Sequence, residues 1–235
     1  PVIDEIARCV LEDGLVRVVV ALTTETVREA ASRHAIVGGA AVALGRAATA
    51  GLLLATLTKD DERLSLQIAG DGPLGALTVD ATSRGTVRAF LKHREVVEPA
   101  LAGVRINLGR LVGRSGVVWA ARDLGLKHHF AGQTPIKDGE VDTDVEEYLA
   151  TSEQIVSALA CDTLLSADLD VAIAGGILIQ TLPPQDGADD QRPFLEKLRE
   201  RLRHGALPHA LAAGGVTSAA DLARRILADD AATLE

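Results

Sequence analysis

From Arg63 to Leu91 hydrophobic and polar positions alternate with period two. Leu64, Leu66 and Ile68 are separated by Ser65 and Gln67, and the alternation returns at Leu77 and Val79. Side chains of a strand point alternately to its two faces, so this stretch predicts antiparallel strands with one buried face. Val16 to Val20 is short and rich in β-branched residues, which predicts another strand. Thr24 to His34 reads as a helix following a threonine able to cap it, with acids early and bases late. Ile36 to Leu57 is a long run of small apolar residues interrupted by Arg46. A charge there is unfavourable in lipid, so the run predicts a buried core helix and not a membrane span.

Further on, Gly103 to Phe130 reads as strand-like around Val117 to Ala120, with a turn at Asp123 to Gly125. Thr143 and Glu146 stand at capping-box spacing before a short helix over Val145 to Leu149. Gln154 to Ala160 and Leu169 to Ala174 read as strands, and Ile177 to Ile179 as a segment buried on both faces. The polar stretch from Pro183 to Gln191 marks a boundary. Beyond it Phe194, Leu195, Leu198 and Leu202 fall at helical spacing among charged residues, and a last helix runs from a Ser218 cap through Leu222 and Ile226. The expected class is α+β, mainly antiparallel sheets packed with helices. A core over residues 1–183 is followed by a helical linker over 184–235.

Composition narrows the function. The 235 residues carry a net charge of −9 and only 2% aromatics, which argues against nucleic-acid partners, since these require clustered cations or stacking faces. Two cysteines, Cys9 and Cys161, are too few and too far apart for a structural metal site or a disulfide framework. No metal or cofactor is expected in this chain, no membrane partner, and a cytoplasmic location.

No catalytic constellation emerges. His128 and His129 are adjacent, and a strand would point them to opposite faces. Gly205 and Pro208 keep His204 and His209 off one regular helix. Asp142, Asp144, Glu146 and Glu147 are accounted for as acids at a helix start. The letters from Gly70 to Gly75 match a dinucleotide-binding turn, but a strand follows where a helix is required and Pro73 removes a donor. A hairpin is the better reading, and a nucleotide or small-molecule enzyme using that turn stands as the alternative.

Four strings carry more information than any pattern. Asp61 to Gly75, reading DERLSLQIAGDGPLG, resembles the signature hairpin of the thirty-three-kilodalton heat-shock proteins, the redox-regulated holdase chaperones. Arg122 to Lys127 leading to Gly132 to Pro135, Tyr148 to Gln154, and Ala174 to Pro183 agree in order and spacing. The resemblance implies an ATP-independent chaperone that binds unfolding proteins under oxidative and heat stress and tends to dimerise. It also implies a C-terminal zinc domain with four cysteine thiolates, expected in a full-length member and absent from this chain. On this reading Gly70, Asp71, Gly72, Pro73 and Leu74 form the signature turn. Leu64, Leu66, Ile68, Phe194, Leu195, Leu198, Leu202, Leu222 and Ile226 are candidate client-binding or covering positions.

Overall fold

The computed structural model describes residues 3–11, 15–58, 62–96, 102–123, 130–182 and 190–227. The first half of the chain runs β1 (Glu5–Leu11), β2 (Val16–Leu22), α1 (Thr24–His34), α2 (Gly38–Ala55), β3 (Arg63–Gly70), β4 (Ala76–Thr82), β5 (Val87–Leu91) and α3 (Gly109–Val112). The second half runs β6 (Gly116–Asp123), β7 (Phe130–Pro135), α4 (Val141–Ser152), β8 (Ser157–Leu165), β9 (Val171–Thr181), α5 (Arg192–Arg203), α6 (Ala206–Ala212) and α7 (Ala219–Ile226).

The strands form two antiparallel sheets, in the orders β1-β2-β9-β8 and β5-β4-β3-β6-β7. Helix α2 packs against strands of both, and all eighteen of its residues are buried. Its small side chains make this possible, because they let backbone approach backbone on every side. It is long and apolar enough to cross a membrane, yet it lies wholly inside the protein. One hydrophobic cluster fills the space around α2 between the sheets. A second lies on the other face of the four-stranded sheet, under α5, α6 and α7. The fold is α+β, as expected.

Several boundaries differ from the sequence reading. Thr23 makes no side-chain cap to α1; the carboxylate of Asp4 accepts from Glu25 N at 3.0 Å and Thr26 N at 2.6 Å instead. The Gly103 to Phe130 stretch is strand only from Gly116, after the short α3. The turn at Asp123 to Gly125 falls largely, and His128 and His129 wholly, outside the described residues. Helix α4 starts at Val141 with Glu140 as its N-cap, so Thr143 lies inside it and there is no capping box.

Strand β8 begins at Ser157, because Ile155 N still bonds Leu149 O at the end of α4. The two segments expected after Leu169 form one strand, β9, with Gly175 and Gly176 inside it. A Cβ on Gly176 would meet Thr49 Cγ2 at 2.8 Å, so glycine there lets α2 rest on the sheet. Helix α6 was not anticipated. It separates His204 at the end of α5 from His209, in line with the break expected at Gly205. The Ser218 cap of α7 forms, accepting from Asp221 N at 3.0 Å. Residues 183–189 of the polar connector lie outside the described residues.

Candidate functional site

Alternation along β2, β8 and β9 divides their side chains between the two clusters. Val19, Ala21, Leu159, Cys161 and Leu178 face α2, while Val16, Val18, Val20, Leu22, Ala158, Ile177 and Ile179 face the opposite way. That opposite face would be a broad apolar surface if it stood in water. It is covered instead by α5–α7, whose amphipathic faces supply Leu195, Leu198, Leu202, Leu222 and Ile226, all buried in the same cluster. Phe194 packs at its margin, half-buried.

Leu64, Leu66 and Ile68 are elsewhere. They are buried in the first cluster, against α2, so they cannot be part of the face that α5–α7 cover. The alternation in β3 identifies a buried face correctly, but only the tertiary structure says which interior it faces.

Polar contacts fasten the cover at its rim. Arg199 of α5 meets Glu146 of α4 at 2.8 Å and donates to the Ser157 carbonyl at 2.7 Å; Arg203 approaches Glu146 at 3.7 Å. Burial holds the Glu146 carboxyl above its ordinary range, opposed by the Leu159 amide and the two arginines. Glu5 of β1 accepts from Ala219 N at the start of α7, and Arg201 donates to the Ile226 carbonyl at 2.7 Å, joining α5 to α7.

A buried charge network ties the inner layer together. Arg46 donates to Asp162 at 2.9 Å and to Glu140 at 2.8 Å, and Arg105 donates to Asp142 at 2.9 Å. The acids of α4 are therefore individually employed, not a generic helix start. Asp142 binds Arg105, Asp144 accepts from the Lys137, Asp138 and Gly139 amides, Glu146 binds Arg199, and Glu147 meets Lys137. Sequence reasoning found Arg46 but not its partners, which lie about a hundred residues away.

The chemistry of these groups is structural. Cys161 is fully buried, which pushes its thiol well up and leaves it unreactive; burial also raises Cys9, which is half-exposed on β1. Cys9 packs with the second cluster and Cys161 with the first, on opposite faces of one sheet. Two strands lie between them, which sets them at least about 14 Å apart, beyond disulfide reach. Among the described residues no three histidine, cysteine or acidic side chains group as metal ligands.

The Gly70–Gly75 turn is closed. Gly72 N bonds Val112 O at 2.9 Å, Leu74 N bonds Leu111 O at 3.1 Å and Asp71 N bonds Ser115 O at 2.9 Å, while Gly70 N and Gly75 N bond within the turn. The Asp71 carboxylate accepts from the Arg114 and Ser115 amides. Pro73 has no amide, so no backbone donor remains to cradle a phosphate. Two other strings meet in space, since Arg122 pairs with Glu153 and the Tyr148 hydroxyl donates to the same carboxylate at 3.1 Å.

The model of the Hsp33 protein family matches residues 4–235. The 33 kDa chaperonin of Gloeobacter violaceus is 41% identical over 189 residues, 80% of this chain and 61% of its own length. That of Listeria welshimeri is 37% identical over 207 residues, 87% of this chain and 68% of its own. The crystal structure of the 33 kDa chaperonin of Thermotoga maritima superposes with a TM-score of 0.80 at 30% identity, covering 95% of this chain and 74% of that one. This chain thus spans about three-fifths of the length of the first of these relatives. The chain belongs to the Hsp33 family, whose members named here are 33 kDa chaperonins.

Proposed function

We propose that this Hsp33-family chain is the client-holding part of an ATP-independent holdase, with α5–α7 as a releasable cover over an apolar sheet face. The carrying observation is the second cluster, an apolar sheet surface buried by amphipathic helices that follow the polar connector. Each large buried side chain contributes roughly 1.5 to 3 kcal/mol, less the entropy of ordering the helices, so closure is favourable yet reversible. Unfolding clients would bind the face when the helices leave it, by the same nonspecific apolar burial.

The redox control implied by the family resemblance belongs to the same proposal, with the cover as the part a signal would release. Cys9 and Cys161 are not the switch, because they cannot reach each other. A cytoplasmic location, a homodimer as the active form and the lack of nucleic-acid or membrane partners complete the reading; the charge of −9 supports the nucleic-acid part.

Light scattering of a heat-denatured client tests it. The chain is expected to reduce aggregation without ATP, and to do so better when the cover is loosened. No protection with the cover loosened would overturn the proposal.

A further inference from the structure

Strand β2, reading VRVVVAL, holds a single charge, Arg17. On the face of the four-stranded sheet that looks towards α2, Val19, Leu178 and Leu159 form one cross-strand row of the first cluster. Side chains two residues apart on a strand share a face. The next row on that face is therefore Arg17, Gln180 and Ser157, which the register pairs in that order. Apolar packing gives way there to a line of three hydrogen-bond donors. Gln180 and Ser157 are each only 1% exposed, and Arg17 is half-buried.

Little of this donor capacity is used. Arg17 Nη2 donates to Oε1 of Gln180, but Arg17 Nε, Gln180 Nε2 and Ser157 Oγ are buried without a hydrogen-bond partner. Buried donors left so are costly, and native structures meet them with protein, water or ligand. Water satisfies an amide or a hydroxyl, but it neutralises no guanidinium. Arg17 has no ion pair among the described residues, and the exposed Arg8 of β1, opposite Val19, stands diagonally from it on the same face. Burial, and after it the charge of Arg8, hold the Arg17 guanidinium below its ordinary value.

Arg8 makes neither hydrogen bond nor ion pair with a described residue. It shares a groove with Asp4 and Glu5, but Asp4 is spent on the amides of Glu25 and Thr26, and Glu5 on that of Ala219. In a chain of net charge −9, two like charges thus stand together with no acid to offset them among the described residues.

We propose that Arg8, Arg17 and Gln180 form a site for a small oxyanion, phosphate or carboxylate, with the Ser157 hydroxyl as a further donor along the row. Both anions offer two or more acceptor oxygens in a plane that a guanidinium fork matches, and both supply the negative charge the pair of arginines lacks. The half-buried Arg17 and exposed Arg8 form the open end, and Gln180 Nε2 is the donor behind them. The site is separate from the face under α5–α7, which lies on the other side of the sheet.

The test uses the 235-residue chain at fixed ionic strength. It is titrated with sodium phosphate, with N-acetylglutamate α-amide as a free carboxylate, and with sodium chloride as the control for screening. Phosphate, the carboxylate or both should raise Tm saturably where chloride does not, and should shift the amide resonances of Arg17 and Gln180. Arg8→Gln, at an exposed position, should weaken that binding at least tenfold with Tm in chloride unchanged. Gln180→Glu sets a carboxylate beside Arg17 from within the chain, so it should raise Tm in chloride and abolish the response to either anion.

A response to phosphate alone assigns the site to phosphate, and a response to both anions assigns it to oxyanions in general, acidic side chains included. Equal Tm in all three salts, or a response that either variant leaves at full strength, overturns the site. Neither result bears on the chaperone reading, which concerns the opposite face.

Discussion

Arg46 of α2 donates its Nε to Oδ1 of Asp162 at 2.9 Å, across 116 positions of sequence, with both side chains wholly out of water. The pair joins the central helix to β8, and Glu140 and Arg105 extend it to α4 and the segment before α3. A buried charge survives only with partners, so removing one should be severe. Arg46→Ala is expected to lower stability by about 3–5 kcal/mol, leaving Asp162 and Glu140 uncompensated. Urea unfolding measures it, and a change within about 0.5 kcal/mol, typical of surface sites, would show that the network is dispensable.

The cover should be separable from the inner core, because Leu198 and Leu202 belong to the second cluster and not to the one around α2. Replacing both with Ser removes two buried side chains, each worth about 2–5 kcal/mol when truncated. The expected result is faster amide exchange in α5, binding of an apolar dye and better client protection. Loss of the entire fold in one transition would mean that the helices are an inseparable part of the core.

Oxidant should leave this chain alone. Cys9 and Cys161 lie on opposite faces of the sheet, and both thiols are raised by burial. Mass spectrometry after mild peroxide treatment should find no intramolecular disulfide, and client protection should be the same with or without reductant. An internal Cys9–Cys161 bond would require a different arrangement of β1 and β8.

The signature turn should tolerate no side chain at Gly72. A Cβ there would come within 2.5 Å of Gly113 N, backbone that cannot move aside without breaking the turn's bonds. Gly72→Ala is expected to destabilise by at least about 2 kcal/mol, the range of severe steric substitutions. Calorimetric titration with ATP should give no binding heat, since the amides of the turn are already engaged; saturable binding would revive the enzyme alternative.

Acid should not weaken the fold through its buried carboxyls. Burial, the largest cause in each case, raises Glu140, Asp144 and Glu146 above their ordinary ranges. The folded chain therefore retains protons that the unfolded chain has released. The contribution of these groups to stability grows as pH falls through the folded pKa towards the unfolded one, and is lost as pH rises past the folded value. Tm should rise as pH falls from neutrality towards the ordinary carboxylate range, and Glu146→Gln should reduce that rise. A Tm that falls on acidification would reverse the sign.

What the sequence determined by itself are the features governed by neighbours along the chain. The period-two pattern located β3 and β4, helical spacing located α5 and α7, the Ser218 cap placed the start of α7, and a charge in an apolar run showed that α2 is a core helix. The strings around Gly70, Arg122, Tyr148 and Ala174 pointed to the family, because they stand in its order and at its spacing. What only the tertiary structure decided are the matters of partner and face. Alternation for Leu64 and helical spacing for Leu198 mark each as buried on one side, but not that they enter different clusters separated by a sheet. The acids of α4 show their charge in sequence, but their roles come from Arg105, Arg199 and the amides of residues 137–139, brought near by folding. The row of Arg17, Gln180 and Ser157 is likewise a property of strand order, which local pattern does not encode.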